Sequence, residues 1–158
     1  PHFITTNWDN AIKNALAKFK AENDIQLKNE NLYIHGNIDE LGGIYLPSEM
    51  VSEPYRQALD AKILWHKHLM MRRTMNKCHC IILYGLSLDP LDAELSQFIL
   101  VGLNNNILKK IIIIEPNHHI VANRVGALLA NRDFNIQLIG YNPDNLDKAK
   151  FHSLKELN

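Results

Sequence analysis

An excess of charge of either sign is what this sequence most plainly lacks: lysine and arginine together number 17, aspartate and glutamate also 17, and net charge is zero with histidine neutral. Electrostatic capture of DNA, RNA or an anionic membrane is therefore not expected. Arg72-Arg73 is the best local basic candidate, and it reads more simply as a solvated helix end. Cysteine is scarce as well. Cys78 and Cys80 stand two apart in an expected strand, where they share a face but cannot close a normal disulfide with each other. They read as core thiols in a reducing cytosol. Long apolar runs are missing too, since Ile111-Ile112-Ile113-Ile114 falls far below the ~20 residues that a membrane helix needs. The N-terminus lacks the charged and apolar regions of a signal peptide. The expectation is a cytoplasmic protein with neither a membrane nor a nucleic acid as direct partner.

Metal spacing is also absent. No C-x-x-C pair occurs, and His66 and His68 stand two apart on an expected helix, where they diverge. No metal is expected. The 158 residues fit one domain, 1–158, which at this size buries roughly 70% of the surface of its unfolded chain. No internal repeat, low-complexity segment or linker interrupts it.

What is present is an alternation of strands and helices. Residues 2–6 are rich in strand formers, and Asn7 or Asp9 can cap a helix read from Trp8 to about Glu22, with Ile12, Leu16 and Phe19 at helical spacing. Residues 31–35 read as a strand stopped by Gly36, and Gly42-Gly43 precede a short strand at 44–46. Pro54 suits the first turn of a helix running to about Asn76. Its apolar positions Leu59, Ile63, Leu64, Leu69 and Met70, with Trp65, are expected to face the core. Residues 79–84 and 110–115 are nearly continuous apolar strands, as parallel strands read when helices cover both faces, and are expected at the sheet's centre. Helices at 89–104 and 117–131, a strand at 134–139 and a terminal helix at 145–157 complete the series. The pattern predicts an α/β fold, Rossmann-like and doubly wound, with a mostly parallel sheet flanked by helices.

In such a sheet the carboxyl ends of the strands face one crevice, where ligands bind. The first strand closes on Thr5-Thr6-Asn7-Trp8-Asp9 and the second on Ile34-His35-Gly36, which places an amide, a carboxylate and an imidazole at neighbouring strand ends. Histidine is the natural general base near neutral pH, and the glycine leaves room beside it. Gly85-Leu86-Ser87-Leu88 follows another strand, so a glycine permits close backbone approach while a hydroxyl faces the crevice. The segment is neither G-x-G-x-x-G nor a P-loop. Glu115 ends the most apolar strand, where a carboxylate can accept hydrogen bonds from both hydroxyls of a ribose. Capping or loop fixing is the plain alternative for it.

Taken in order, Thr-Thr-Asn-Trp-Asp, Tyr-Ile-His-Gly and Tyr-Gly-Leu-Ser-Leu-Asp-Pro-Leu-Asp make the chain resemble the sirtuin superfamily, and the divergent bacterial sirtuin-like domains most of all. The likeness runs from about Phe3 to Gly140. The matched positions are Thr5, Asn7 and Asp9, then His35 and Gly36, then Gly85, Ser87 and Leu88. The resemblance implies NAD as substrate. It implies that Asn7 orients the nicotinamide ribose or an attacking water and that His35 acts as general base. Thr6, Asp9 and Gly36 would line the same half of the nucleotide, and Gly85, Ser87, Leu88 and Glu115 the adenosine half.

Two departures shape what is expected. No G-A-G-x-S segment, the family's phosphate cradle, precedes Phe3, so the chain reads as a fragment of a longer parent in which other domains, and further copies, are partners. The four-cysteine zinc module of deacylating members is also absent after Gly36. The implied reaction is thus hydrolysis of NAD to nicotinamide and ADP-ribose by the intact parent, as in antiphage sirtuin-like domains. A non-catalytic nucleotide-sensing or oligomerisation module is the alternative, and NAD-dependent protein deacylation a lower one.

Overall fold

The computed structural model describes residues 2–24, 31–39, 44, 46, 58–129, 135–144 and 152–153, the side chains of 58–60 and 152–153 excepted. The chain is α/β, with two small, mostly parallel sheets and four helices among the described residues, compatible with a Rossmann-like arrangement. It divides into two compact units, Pro1–Thr74 and Met75–Asn158.

In the first unit β1 (Phe3–Thr5) and β2 (Asn31–Tyr33) pair in parallel, with Phe3 opposite Asn31 and Thr5 opposite Tyr33. The helix between them, α1 (Ala11–Asn23), begins later than the sequence pattern suggests. Its opening turn is held by Asp9, whose Oδ1 accepts the Ala11 N–H at 2.9 Å, and Asp24 ends it in the left-handed region at φ 50°. Ile12 and Leu16 are half-buried on one side, while Phe19 is exposed. α2 (Ala58–Met75) buries Leu64, His68 and Met71, spaced as one helical stripe. Trp65, at 61% exposure, and Leu69 lie outside that stripe, which corrects the expectation that they face the core. A periodicity of 3.6 allows either stripe; packing chose the one containing a histidine. Ile44 and Leu46 are exposed and belong to no strand, unlike the short strand expected at 44–46, whose middle residue lies outside the described ones.

In the second unit β3 (Cys80–Tyr84), β4 (Lys110–Ile114) and β5 (Gln137–Tyr141) are parallel in that order, and β6 (His152–Ser153) pairs antiparallel to β5. The terminal helix expected over 145–157 is therefore not present at 152–153; its other residues lie outside the described ones. The crossovers are α3 (Ala93–Leu103) and α4 (His118–Leu128). Asp92 starts α3 by accepting the Leu95 N–H at 3.0 Å.

One face of this sheet carries the core. Ile81, Leu83, Ile111, Ile113 and Leu138 share it by register and are buried. Each such side chain contributes about 1.5–3 kcal/mol when fully removed from water. Both helices pack on that face: a Cβ built on Gly102 of α3 would meet Ile81 Cδ1 at 2.8 Å, and one on Gly140 of β5 would meet the His118 ring of α4. On the opposite face Ile82 and Tyr84 are exposed, at 59% and 72%. So β3 is an edge strand among the described residues, not the sheet's centre, and it is covered on one face only. An apolar run reads alike whether one or both of its faces are covered.

The thiols follow the same correction. Cys80 opens β3 on its exposed face, and Cys78 precedes the strand half-buried, its Sγ donating to the Met75 carbonyl at 3.0 Å. Burial pushes the Cys78 thiol pKa up.

Candidate functional site

Two constellations stand at strand ends, one in each unit. In the first, the β1–β2 ladder continues one bond past its last paired residues: the Ile34 N–H donates to the Thr5 carbonyl at 2.9 Å. Asn7 and His35 each lie two residues beyond the Thr5–Tyr33 pair, at the carboxyl ends of adjacent parallel strands that run about 4.8 Å apart. The structure thus places these two candidates past the ends of neighbouring strands.

The chain segments that follow are laced to each other. The Ile38 N–H donates to the Trp8 carbonyl at 2.9 Å. Asn10, at the start of α1, accepts at Oδ1 from the Tyr33 hydroxyl at 3.2 Å and from Asn37 Nδ2 at 3.4 Å. Its Nδ2 donates to Asp39 Oδ2 at 3.0 Å, where Lys13 Nζ also arrives at 3.3 Å. The Asn10 amide, and then Lys13, lower the Asp39 pKa. The Tyr33 phenol is raised, chiefly by desolvation. Thr5 anchors the near side, its buried hydroxyl oxygen accepting the Asn7 N–H at 3.0 Å.

His35 is 1% exposed, and Gly36 after it is buried with φ 86°, a conformation open to glycine and costly for other residues. Asn7 is exposed. Asp9 spends its carboxylate on the opening of α1, the capping duty that its place before the helix also suggests. Thr6 is half-buried.

In the second unit the Gly85 N–H donates to the Ile114 carbonyl at 3.0 Å, one register step past Tyr84 opposite Ile114. Gly85 and Glu115 therefore end neighbouring strands. Gly85 has φ 61°, and no atom lies within 4 Å of where a Cβ would be, so a ligand could approach its backbone. Ser87 is exposed, and its carbonyl accepts from Arg124 of α4 at 2.6 Å. Leu88, by contrast, is 4% exposed with φ 53°; it anchors the loop from the core side. Glu115 is half-buried, its N–H bound to the Tyr141 carbonyl and its own carbonyl bound by the His118 N–H, both at 3.0 Å.

Arg124, His68 and Asn10 are the residues that sequence reasoning missed. Arg124 lies 37 positions from Ser87, and no spacing connects them before the crossover is known. Among the described residues no group of three or more His, Cys, Asp or Glu could hold a metal ion, and no helix is long and apolar enough to cross a membrane. The chain matches no protein-family model, no curated protein and no solved structure.

Chemically, the first constellation offers an imidazole and an amide on neighbouring strand ends held by a polar network. The second offers an open backbone turn, a carboxylate and a guanidinium. In the second, the carboxylate suits ribose hydroxyls and the glycine turn suits close backbone contact with a ligand.

Proposed function

We propose that this is a sirtuin-like, NAD-binding chain whose intact parent protein hydrolyses NAD to nicotinamide and ADP-ribose, with a role in bacterial antiphage defence. The observation that carries the reading is the placement of Asn7 and His35 at equal distances past the last rung of one parallel pair, with their following segments bonded together. In the reaction a water oxygen forms a bond to the anomeric carbon of the nicotinamide ribose. The glycosidic carbon–nitrogen bond breaks, and nicotinamide leaves with that electron pair. Asn7 orients the water or ribose, and His35 accepts the proton that the water loses. The polar groups around them stabilise the oxocarbenium-like charge of the transition state. Gly85, Ser87 and Glu115 take the adenosine side, with Thr6 and Gly36 beside the nicotinamide ribose.

The test is nicotinamide release from NAD by the full-length natural protein and by its His35→Ala variant. Loss of a general base lowers turnover by about 10²–10⁴-fold. Unchanged turnover in a folded variant refutes the assignment.

A second reading draws on the burial of His35: at 1% exposure it also suits a structural histidine in a nucleotide-sensing or oligomerising module. Saturable NAD binding without nicotinamide release supports that reading instead. Protein deacylation ranks below both, because the sequence carries no four-cysteine module after Gly36; formation of O-acyl-ADP-ribose from an acyl-lysine peptide tests it.

A further inference from the structure

A parallel ladder continuing past Thr5–Tyr33 would next give the Asn7 N–H to the Ile34 carbonyl, because Ile34 stands opposite Thr6 and bonds both of its neighbours. That rung is replaced. The Thr5 hydroxyl takes the Asn7 N–H at 3.0 Å, and the Ile34 carbonyl faces His68 Nε2 of α2 at 3.3 Å. A carbonyl oxygen only accepts, so Nε2 carries the proton and His68 is the donor.

His68 is 8% exposed and sits on the buried stripe of α2 between Leu64 and Met71. A polar ring there costs free energy unless it is hydrogen-bonded, and an apolar residue would fill the stripe without that cost. The bond it makes has a defined target: the Ile34 carbonyl belongs to the peptide unit that leads into His35. On the other side of His35 the chain turns through Gly36 at φ 86°. The peptide plane before His35 is thereby pinned from α2, while Asn7 is released from the ladder to the Thr5 hydroxyl.

We infer that His68 is a positioning residue: by donating from α2 to the Ile34 carbonyl it sets the orientation of His35 and ends the β1–β2 ladder so that Asn7 and His35 both leave the sheet. The catalytic consequence rests on the proposed NAD hydrolysis; the structural one does not.

The full-length natural protein is compared with its His68→Gln, His68→Met and His35→Ala variants. Glutamine keeps an amide donor near the same reach, whereas methionine keeps the bulk and loses the donor. Long-range imidazole ¹H–¹⁵N spectra, with His35 identified by its loss in His35→Ala, should show the His35 signals displaced in His68→Met and held in His68→Gln. In the nicotinamide-release assay His68→Met should lower kcat by about 10- to 100-fold, the scale of a misplacement near 1 Å, and leave KM for NAD within about twofold. His68→Gln should recover most of that loss.

His35 signals unmoved in His68→Met overturn the inference, and so does a folded His68→Gln in which they are displaced; the second criterion stands even if His68→Met does not fold. A wild-type protein that releases no nicotinamide refutes the proposed reaction and leaves the spectra to decide the role of His68. Turnover abolished by His35→Ala but untouched by His68→Met upholds the reaction and removes His68 from it.

Discussion

Replacing Gly140 by alanine tests how tightly the Glu115 corner is built. Gly140 is buried on β5, and a Cβ there would stand 3.1 Å from His118 Cγ and 3.3 Å from Nε2, with Cδ2 closer still. The ring cannot yield freely. Its Nδ1 faces the Glu115 carbonyl at 3.3 Å, and His119 lies edge-on with centroids 6.0 Å apart. Removing glycine from a strand interior gains about 0.5–1 kcal/mol. Forcing a methyl into a packed site costs about 1–3 kcal/mol, and displacing the ring from the Glu115 carbonyl forfeits about 1 kcal/mol more. The loss wins, by about 1–3 kcal/mol.

Native-state hydrogen exchange at the Leu138 and Ile139 amides suits this measurement, because a chain with two compact units need not unfold in one step. Exchange through local opening should quicken by about 5- to 150-fold in Gly140→Ala. Gly126→Ala in α4 is the control: no atom lies within 4 Å of its built Cβ, and the substitution should stabilise the helix by about 0.5–1 kcal/mol. If Gly140→Ala exchanged no faster than the wild type while Gly126→Ala behaved as expected, the reasoning about His118 would be wrong.

The choice of stripe on α2 can be checked by a pair of neighbours. Leu64→Ala, at a fully buried position, should cost about 2–5 kcal/mol in urea unfolding followed by circular dichroism. Trp65→Ser, at 61% exposure, should stay within about 0.5 kcal/mol of the wild type, and a larger cost than Leu64→Ala would reverse the assignment of the buried face. The Asn10 and Lys13 contacts lower the Asp39 carboxyl below its unfolded value, so their contribution is present above the ordinary carboxylate pKa and is lost as pH falls through the folded one. Protection of the Asp39 amide from exchange, measured against its intrinsic rate at each pH and resting on its bond to Asn37 Oδ1, should therefore fall on acidification below about pH 4 in the wild type and less steeply in Asp39→Asn; identical protection profiles would contradict it.

Much of this architecture was legible in the residues. The alternation of apolar runs with helical spacing marked β3, α3, β4, α4 and β5 within a few positions, because each run is bounded by polar or glycine-containing turns. The positions of His35 and Gly85 just past strand ends were legible for the same reason. Coverage was not: Ile82 and Ile81 differ by one position and by 59% against 7% exposure, which depends on which face the crossovers α3 and α4 pack. Nor could Arg124 at Ser87, or His68 at Ile34, be found in advance, since both contacts join positions more than 30 apart through tertiary packing. Asp9 was legible as a helix cap as well as a ligand candidate. An acidic residue two before a helix both matches a ligand motif and satisfies an orphan N–H, and only the 2.9 Å bond to Ala11 shows which is made.

The same device ends a strand in each unit. A glycine with positive φ stands past the end of one strand, Gly36 three residues after β2 at 86° and Gly85 directly after β3 at 61°, and a polar group stands past the end of its neighbour, Asn7 or Glu115. Their surroundings differ in a way that assigns them different work. The residue before Gly36 is a histidine at 1% exposure, within a mesh of backbone and amide bonds; the residue before Gly85 is a tyrosine at 72%, and the space beside that glycine is open. A buried end flanked by bonded segments suits an imidazole kept from bulk water, as the proposed proton transfer asks. An open end with a bare backbone can take a ligand by close approach but fixes little chemistry. The proposed proton transfer therefore rests on the first unit, and the open Gly85 turn of the second is suited to contact with a ligand's backbone-facing edge alone.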